Sequence, residues 1–257
     1  MERIISSDNV QIKTLKKLAR RRHREENHEF TVENLTIIQD ALASGHDFKQ
    51  LFVTDDFLNK HKEKLDNLVS KSPESKKYLI SNKINNSYSQ LDTPSGITAV
   101  YEARENKLKN SEPLIYLNGI ADPGNLGTIM RTALAFGFNN IVVDEVCADI
   151  YNAKTINAAR DAIFKINLFR DKNCEWLEKN KASIPIYSTS SHEGILLDDF
   201  HPAGIFCLVL GSESHGVSEE IRQLADEKIK ISISDKIESL NVAAAAAILM
   251  YQLRKIN

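Results

Sequence analysis

Residues 114–131 read LIYLNGIADPGNLGTIMR, and the architecture turns on them. Apolar residues 114–117 run into a turn rich in Asn, Gly, Asp and Pro, followed by a segment that reaches Ala135-Phe136-Gly137. A short apolar block before such a turn is the pattern of a buried strand that hands its chain to a helix or loop. Three of the ten glycines lie between positions 119 and 127, where they permit tight turning and close approach of a ligand to the backbone. Helix N-termini behind such loops favour anions. The spacing is neither G-x-G-x-x-G nor G-x-x-x-x-G-K-S/T, so an ordinary dinucleotide or P-loop phosphate site is poorly supported.

Downstream, apolar runs recur at 141–143, 163–168, 184–187, 205–210 and 229–233, separated by helix-like segments. Short runs rich in Ile and Val suit buried strands of a parallel sheet with helices on both faces. The closing segment 239–255 predicts a helix with Ser239 as N-cap and five consecutive alanines, Ala243 to Ala247. So smooth a helix must pack closely on the sheet, on a second subunit or on both.

Upstream, the polar stretch 102–112, EARENKLKNSE, separates this region from a differently patterned one. Apolar clusters at 30–32, 51–53, 78–80 and 97–100, with a helical stretch at 35–43, predict a small α/β domain. The expected organisation is α/β throughout: a domain over 1–104, a linker over 105–112 and a second domain over 113–257.

The whole chain has 257 residues and a formal charge of −2, with 42% hydrophobic and 26% charged residues, which excludes disorder, collagen and a disulfide scaffold. Residues 1–112 carry 19 Lys and Arg against 17 Asp and Glu, and residues 113–257 carry 14 against 18. The asymmetry is sharp locally. Seven cations and no acid fall between Gln11 and Arg24, interleaved with Ile12, Leu15, Leu18 and Ala19 at helical spacing. One amphipathic helix starting near Ser7 or Asp8 is expected, either as a solvated face or as a partner for polyphosphate.

Cys147, Cys174 and Cys207 form no C-x-x-C pair and read as buried thiols, and the seven histidines lack ligand spacing, so no metal site is expected. No run approaches the roughly 20 apolar residues of a membrane span, and Met1 to Asp8 lack a signal-peptide core, so no membrane partner and a cytoplasmic location are expected.

Two further segments sit after expected strands, Leu210 to Ser218 (LGSESHGVS) and Ile231 to Val242 (ISISDKIESLNV). Ligands of open parallel sheets gather at the carboxyl ends of strands. In their order and separation, the three segments resemble motifs 1, 2 and 3 of the SpoU, or TrmH-type, RNA ribose 2′-O-methyltransferases of the SPOUT superfamily. The resemblance is carried by Asn118, Asp122-Pro123, Asn125, Gly127, Arg131 and Gly137, by Gly211, Glu213 and Gly216, and by Ser239-Leu240-Asn241. The first region resembles the RNA-binding substrate domain often fused ahead of such enzymes, through its basic helix, Phe30-Thr31-Val32-Glu33 and Pro94-Ser95-Gly96-Ile97.

The resemblance implies a deep trefoil knot, a homodimer with active sites at the subunit interface, and methyl transfer from S-adenosylmethionine to a ribose 2′-hydroxyl of ribosomal or transfer RNA. It implies cofactor binding around Gly211, Ile231 and Leu240, with Leu210 and Thr189 beside them. Arg131 takes the catalytic position; because a guanidinium is a poor base in water, it is expected to bind the target phosphate and stabilise the developing alkoxide. Asn118, Glu213, Ser239 and Asn241 are expected to position it and the ribose. Lys13, Lys16, Lys17, Arg20, Arg21, Arg22 and Arg24 are expected to face RNA.

The pattern is departed from at Leu134, at Asn157, Ala159 and Asp161, at Ser232 and Lys236, and at Ala243. These positions bear on substrate and cofactor-loop details. Two other readings stand beside the leading one: a non-catalytic RNA-binding or ribosome-assembly protein that keeps the fold, and an oxidoreductase of the NAD type, which lacks its glycine fingerprint.

Overall fold

The computed structural model describes residues 1–103, 108, 112–202 and 204–254. Most of the expected linker 105–112 lies outside the described residues, as does Lys255 of the expected last helix. The chain separates into two compact units, Met1–Arg104 with Tyr151–Asn157, and Glu105–Ile150 with Ala158–Asn257. The segment Tyr151–Asn157, placed by its sequence in the second region, thus groups with the first unit, where Tyr151 stacks on Phe30 with ring centroids 4.4 Å apart.

The first unit runs β1 (Glu2–Arg3), α1 (Val10–Leu18), α2 (Arg21–Asn27), β2 (Glu29–Val32), α3 (Leu35–Ala43), β3 (Gln50–Thr54), α4 (Asp55–Lys60), α5 (Lys62–Lys71), β4 (Lys76–Ile80), α6 (Asn82–Asn86) and β5 (Ile97–Glu102). Its sheet has the order β1-β4-β3-β5-β2, with parallel pairs on the β1 side and antiparallel pairs where β5 meets β3 and β2. Central β3 is buried on both faces, so Leu51, Phe52 and Val53 read as a continuous apolar run rather than an alternation. Ile12, Leu15 and Leu18, each three residues from the next on α1, pack with Phe52, Tyr78, Ile80 and Val100.

The expected single basic helix is two helices. Asn9, not Ser7 or Asp8, caps α1 by accepting from the Gln11 N–H at 2.8 Å, and Arg20 interrupts the run in an extended conformation. Arg24 is 4% exposed and donates to the Leu18 carbonyl at 2.6 Å, satisfying the end of α1 rather than facing a ligand. The cations of the window are balanced in part, because acids just outside it reach in. Arg21 pairs with Glu25 at 2.8 Å, Arg22 with Glu26 at 2.6 Å and Lys13 with Asp8 at 3.3 Å. Arg24→Ala is therefore expected to destabilise the first unit by roughly 1.5–3 kcal/mol, the range for hydrogen bonds to charged groups, read as a lower urea midpoint.

The second unit runs β6 (Leu114–Asn118), α7 (Pro123–Ala135), β7 (Asn140–Val143), α8 (Ala153–Ala159), whose first five residues belong to the first unit, α9 (Ala162–Lys165), β8 (Asn167–Arg170), α10 (Glu175–Asn180), β9 (Ile186–Thr189), β10 (Ile195–Leu196), β11 (Cys207–Gly211), α11 (Glu219–Leu224), β12 (Glu227–Lys230) and α12 (Val242–Leu253). All its strand pairs are parallel, in the order β10-β12-β9-β11-β6-β7-β8. Leu114 and Tyr116 point to the face covered by Leu177 of α10 and Ile221 of α11. Ile115 and Leu117 point the other way and are equally buried, so helices cover both faces.

Two expected strands are shorter than their apolar runs. The run 163–168 divides into α9 and β8, and the run 229–233 leaves the sheet after Lys230. Burial, not strand conformation, makes these residues apolar, and a short run carries no period that distinguishes the two. Asn241 rather than Ser239 caps α12, accepting from the Ala243 and Ala244 N–H groups at 3.0 and 3.3 Å. The helix packs on α7 and β11 through Val242, Ala246, Leu249 and Met250 and leaves Ile248 and Tyr251 exposed. Among the described residues, no helix is long and apolar enough to cross a membrane, and no group of His, Cys, Asp or Glu is arranged to hold a metal.

Candidate active site

Strands β9, β11 and β12 end side by side, and beyond their carboxyl ends lies a cleft of about 550 Å³. Parallel strands place their following loops on one edge of the sheet, which is why three distant segments meet there. Thr189 from β9, Leu210 and Gly211 from β11, Ile231 after β12, and Leu240 before α12 all line it. Glu213 and Ser239 line it too, whereas Asn118, Arg131 and Asn241 do not.

The wall formed by residues 211–217 is a tight loop. Ser212 and Gly216 exchange backbone hydrogen bonds of 3.1 and 2.9 Å, with Gly216 at φ 66°. Gly211 is pressed against that turn: a Cβ built on it would lie 2.1 Å from the Gly216 carbonyl carbon. Ser188, also lining the cleft, is 1% exposed, and among the described residues its hydroxyl has no hydrogen-bond partner, a buried polar atom available to a ligand or a water. Three carboxylates, Glu193, Glu213 and Glu238, line the cleft. Its two longer cations are engaged, Lys228 with Glu193 at 2.9 Å and Arg222 with Glu219 at 2.8 Å. The size of the cleft, its mixed polar lining and its acidic balance suit an adenosyl ligand that carries a positive sulfonium.

Asn241 and Glu213 come together through a residue to which the sequence assigned no role. Asn125, in the first turn of α7, donates to the Glu213 carboxylate and accepts from Asn241 Nδ2 at 3.1 Å. Its own position is set by Asp122, which caps α7 by accepting from the Asn125 N–H at 2.7 Å, with Pro123 at the first helical position. One asparagine thus ties the loop after β6 to the loops after β11 and β12. It stood in the first motif, and only its partners were illegible.

Asn118 ends β6, nearly buried, with both ends of its amide in use. It donates to Asp144 Oδ2 at 2.8 Å and accepts from the Ser218 N–H at 2.7 Å, so both ends of the amide are engaged within the chain. Burial pushes the Cys147 thiol well above its ordinary pKa, with Asp144 beside it, so it is a neutral packing group and not a nucleophile. Arg131 lies six residues beyond Asn125, roughly 9 Å along the axis of α7. It is exposed and makes no ion pair or side-chain hydrogen bond among the described residues.

A parallel sheet with a ligand cleft made of three loops at its carboxyl edge defines the class. Residues 112–251 match the model of the SpoU rRNA Methylase family, residues 9–99 match the MRM3-like substrate binding domain, and the chain belongs to the SpoU rRNA methylase family. Within it, the chain is 30% identical over 255 residues to the 23S rRNA (guanosine(2553)-2′-O)-methyltransferase RlmP of Bacillus subtilis (strain 168), covering 99% of this chain and all of that one. The fold is shared with the AdoMet-bound rRNA methyltransferase from Sinorhizobium meliloti, at a TM-score of 0.85 and 23% identity, over 98% of this chain and 96% of that one. It is shared as well with the SpoU methyltransferase AviRb from Streptomyces viridochromogenes in complex with AdoMet, at a TM-score of 0.83 and 22% identity, over 95% and 96%.

Proposed function

We propose that the protein transfers the methyl group of S-adenosylmethionine to a ribose 2′-hydroxyl of ribosomal or transfer RNA. The observation that carries this reading is the convergence of Thr189, Leu210, Gly211, Ile231 and Leu240 on one cleft that Asn125 joins to Glu213 and Asn241. When bound, the cofactor supplies an electrophilic sulfonium methyl. The residues of the chain then have two tasks, to hold the hydroxyl in line and to help it lose its proton. Arg131, with its guanidinium free among the described residues, binds the target phosphate and stabilises the developing alkoxide. Glu213, Ser239 and Asn241 orient the ribose, and Ser188 satisfies its hydroxyl on the ligand or on a water held with it.

The exposed Ile248 and Tyr251 on α12, with Phe136 packed edge-on against Tyr251 at 5.7 Å, form the surface for a second copy of the chain. On the same reading the segment carrying β12 and α12 is threaded as a trefoil knot, and the enzyme works in the cytoplasm, where its RNA is. Labelled S-adenosylmethionine incubated with the protein and total RNA, followed by mapping of 2′-O-methylation in cells with and without the gene, tests the activity. No transfer of label, or label on a base, sinks the reading.

The first unit supplies the RNA-backbone contacts. Of the seven expected residues, Lys16, Lys17 and Arg20 make no side-chain hydrogen bond or ion pair among the described residues, and Lys17 and Arg20 are exposed. Charge reversal at Lys17 and Arg20 is expected to weaken RNA binding and to reduce its salt slope by roughly 1.5–2, since each phosphate contact adds close to one. A salt slope equal to that of the wild type removes these residues from the interface.

A further inference from the structure

We propose that Asp144, which no motif of the sequence marks, is the positioning residue that sets the wall of the cofactor cleft. Asp144 follows β7 and is 6% exposed, and its two oxygens accept four hydrogen bonds. Oδ2 takes Asn118 Nδ2 at 2.8 Å and the Gly119 N–H at 2.9 Å, while Oδ1 takes the N–H groups of Val146 and Cys147 at 3.1 and 2.8 Å. A carboxylate is an acceptor only. It therefore admits one orientation of the Asn118 amide, with Nδ2 toward Asp144 and Oδ1 toward Ser218, whose N–H it receives at 2.7 Å.

That bond holds residues 216–218 where the cleft needs them. Gly211 pairs with Asn118 in register across β11 and β6, and the space its missing Cβ leaves is filled by the backbone of Gly216 and Val217. Asp144 thus acts through Asn118, and Asn118 through Ser218, on the turn that lines the cleft. The loops are also tied independently of the carboxylate. The Cys147 thiol donates to the Leu117 carbonyl at 3.3 Å, its sulfur accepts the Ile120 N–H at 3.1 Å, and the Ala148 N–H donates to the Ile120 carbonyl at 2.8 Å. The β7 loop therefore stays docked when the charge is removed, and Asp144→Asn is a specific probe rather than a general disruption.

With a carboxamide at 144, its oxygen stays with the two fixed backbone donors of Val146 and Cys147, and its NH₂ group faces Asn118, whose amide can turn over, and the Gly119 N–H. The Asn118 amide turns over to accept from that NH₂ group and presents its own NH₂ to the Ser218 N–H, a donor against a donor. The wall at 216–218 then moves off Gly211. A reciprocal exchange restores the polarity toward Ser218: Asp144→Asn with Asn118→Asp puts an acceptor-only group at 118, which takes one hydrogen bond from the carboxamide and one from Ser218. The Gly119 N–H faces the carboxamide NH₂ in the single and the double variant alike, so that only the Ser218 bond differs between them.

The experiment measures amide hydrogen exchange at Ser218 together with S-adenosylmethionine affinity, in the full chain, for wild type, D144N and the D144N/N118D double variant. Expected are loss of Ser218 protection and a roughly ten- to hundredfold weaker cofactor affinity in D144N, the size of one unsatisfied buried donor, with recovery of both in the double variant. General destabilisation by two substitutions does not recover. Unchanged Ser218 protection in D144N, or a double variant no better than the single one, overturns the proposal. The affinity readout rests on the cleft being the cofactor site. If the wild type itself fails to bind S-adenosylmethionine, that reading falls, while the exchange readout still decides the role of Asp144.

Discussion

Arg131→Ala is expected to lower the rate of methyl transfer roughly 10²–10³-fold, the effect of removing one charge-stabilising donor from a reacting oxygen, with cofactor affinity unchanged. The separation of the two effects follows from position. Arg131 is on the exposed side of α7, outside the cleft lined by Thr189, Gly211, Ile231 and Leu240, so its loss removes nothing from the wall of that cleft. Its helix is anchored elsewhere, by Leu126, Ile129, Met130 and Ala133, so the substitution does not disturb packing. Arg131→Lys keeps the charge but not the planar fork of donors and is expected to recover only part of the rate. Single-turnover kinetics with saturating cofactor provide the measurement. A wild-type rate in the alanine variant removes Arg131 from the mechanism.

Gly211→Ala is expected to act the opposite way, weakening cofactor binding before any chemistry. The added methyl would sit 2.1 Å from the Gly216 carbonyl carbon, 2.2 Å from the Val217 nitrogen and 2.4 Å from the Gly216 oxygen. All three are backbone atoms in a turn closed by two hydrogen bonds, so no side chain can swing aside. Overpacking of this kind costs roughly 1–3 kcal/mol, which falls on the loop that walls the cleft and corresponds to an about 5- to 150-fold loss of affinity. Gly216 is the control: a Cβ there meets nothing within 4 Å, and its φ of 66° makes Gly216→Ala a test of strain alone. Calorimetric titration with S-adenosylmethionine separates the two. Equal affinity in Gly211→Ala and wild type would show that the turn relaxes freely.

Where strand and helix were legible, one chemical pattern had one structural meaning. Residues 35–43 formed the expected helix, and the runs at 51–53, 114–117 and 141–143 lie within strands, because each combines a clear boundary signal with burial on known sides. The run at 163–168 was misread because an apolar one-turn helix and an apolar strand look alike over so few residues. Arg24 was misread for a related reason. The sequence shows a cation in a cationic run, and only the break at Arg20 turns it inward onto Leu18.

The candidate site divides in the same way. The sequence by itself marked the three segments that follow strands, because these depend on residue types at fixed offsets along one chain, and its resemblance to a family supplied the expected ligand and the expected role of Arg131. The tertiary structure alone decided that Asn125 joins Glu213 to Asn241, that Ser188 carries a hydroxyl without a partner among the described residues, and that Asp144 aims Asn118 at Ser218. Those bonds span 88, 116, 26 and 100 residues of chain. Hydrogen bonds depend on distance and angle at a few tenths of an ångström, and that information exists only after the strands have paired and set their loops beside one another.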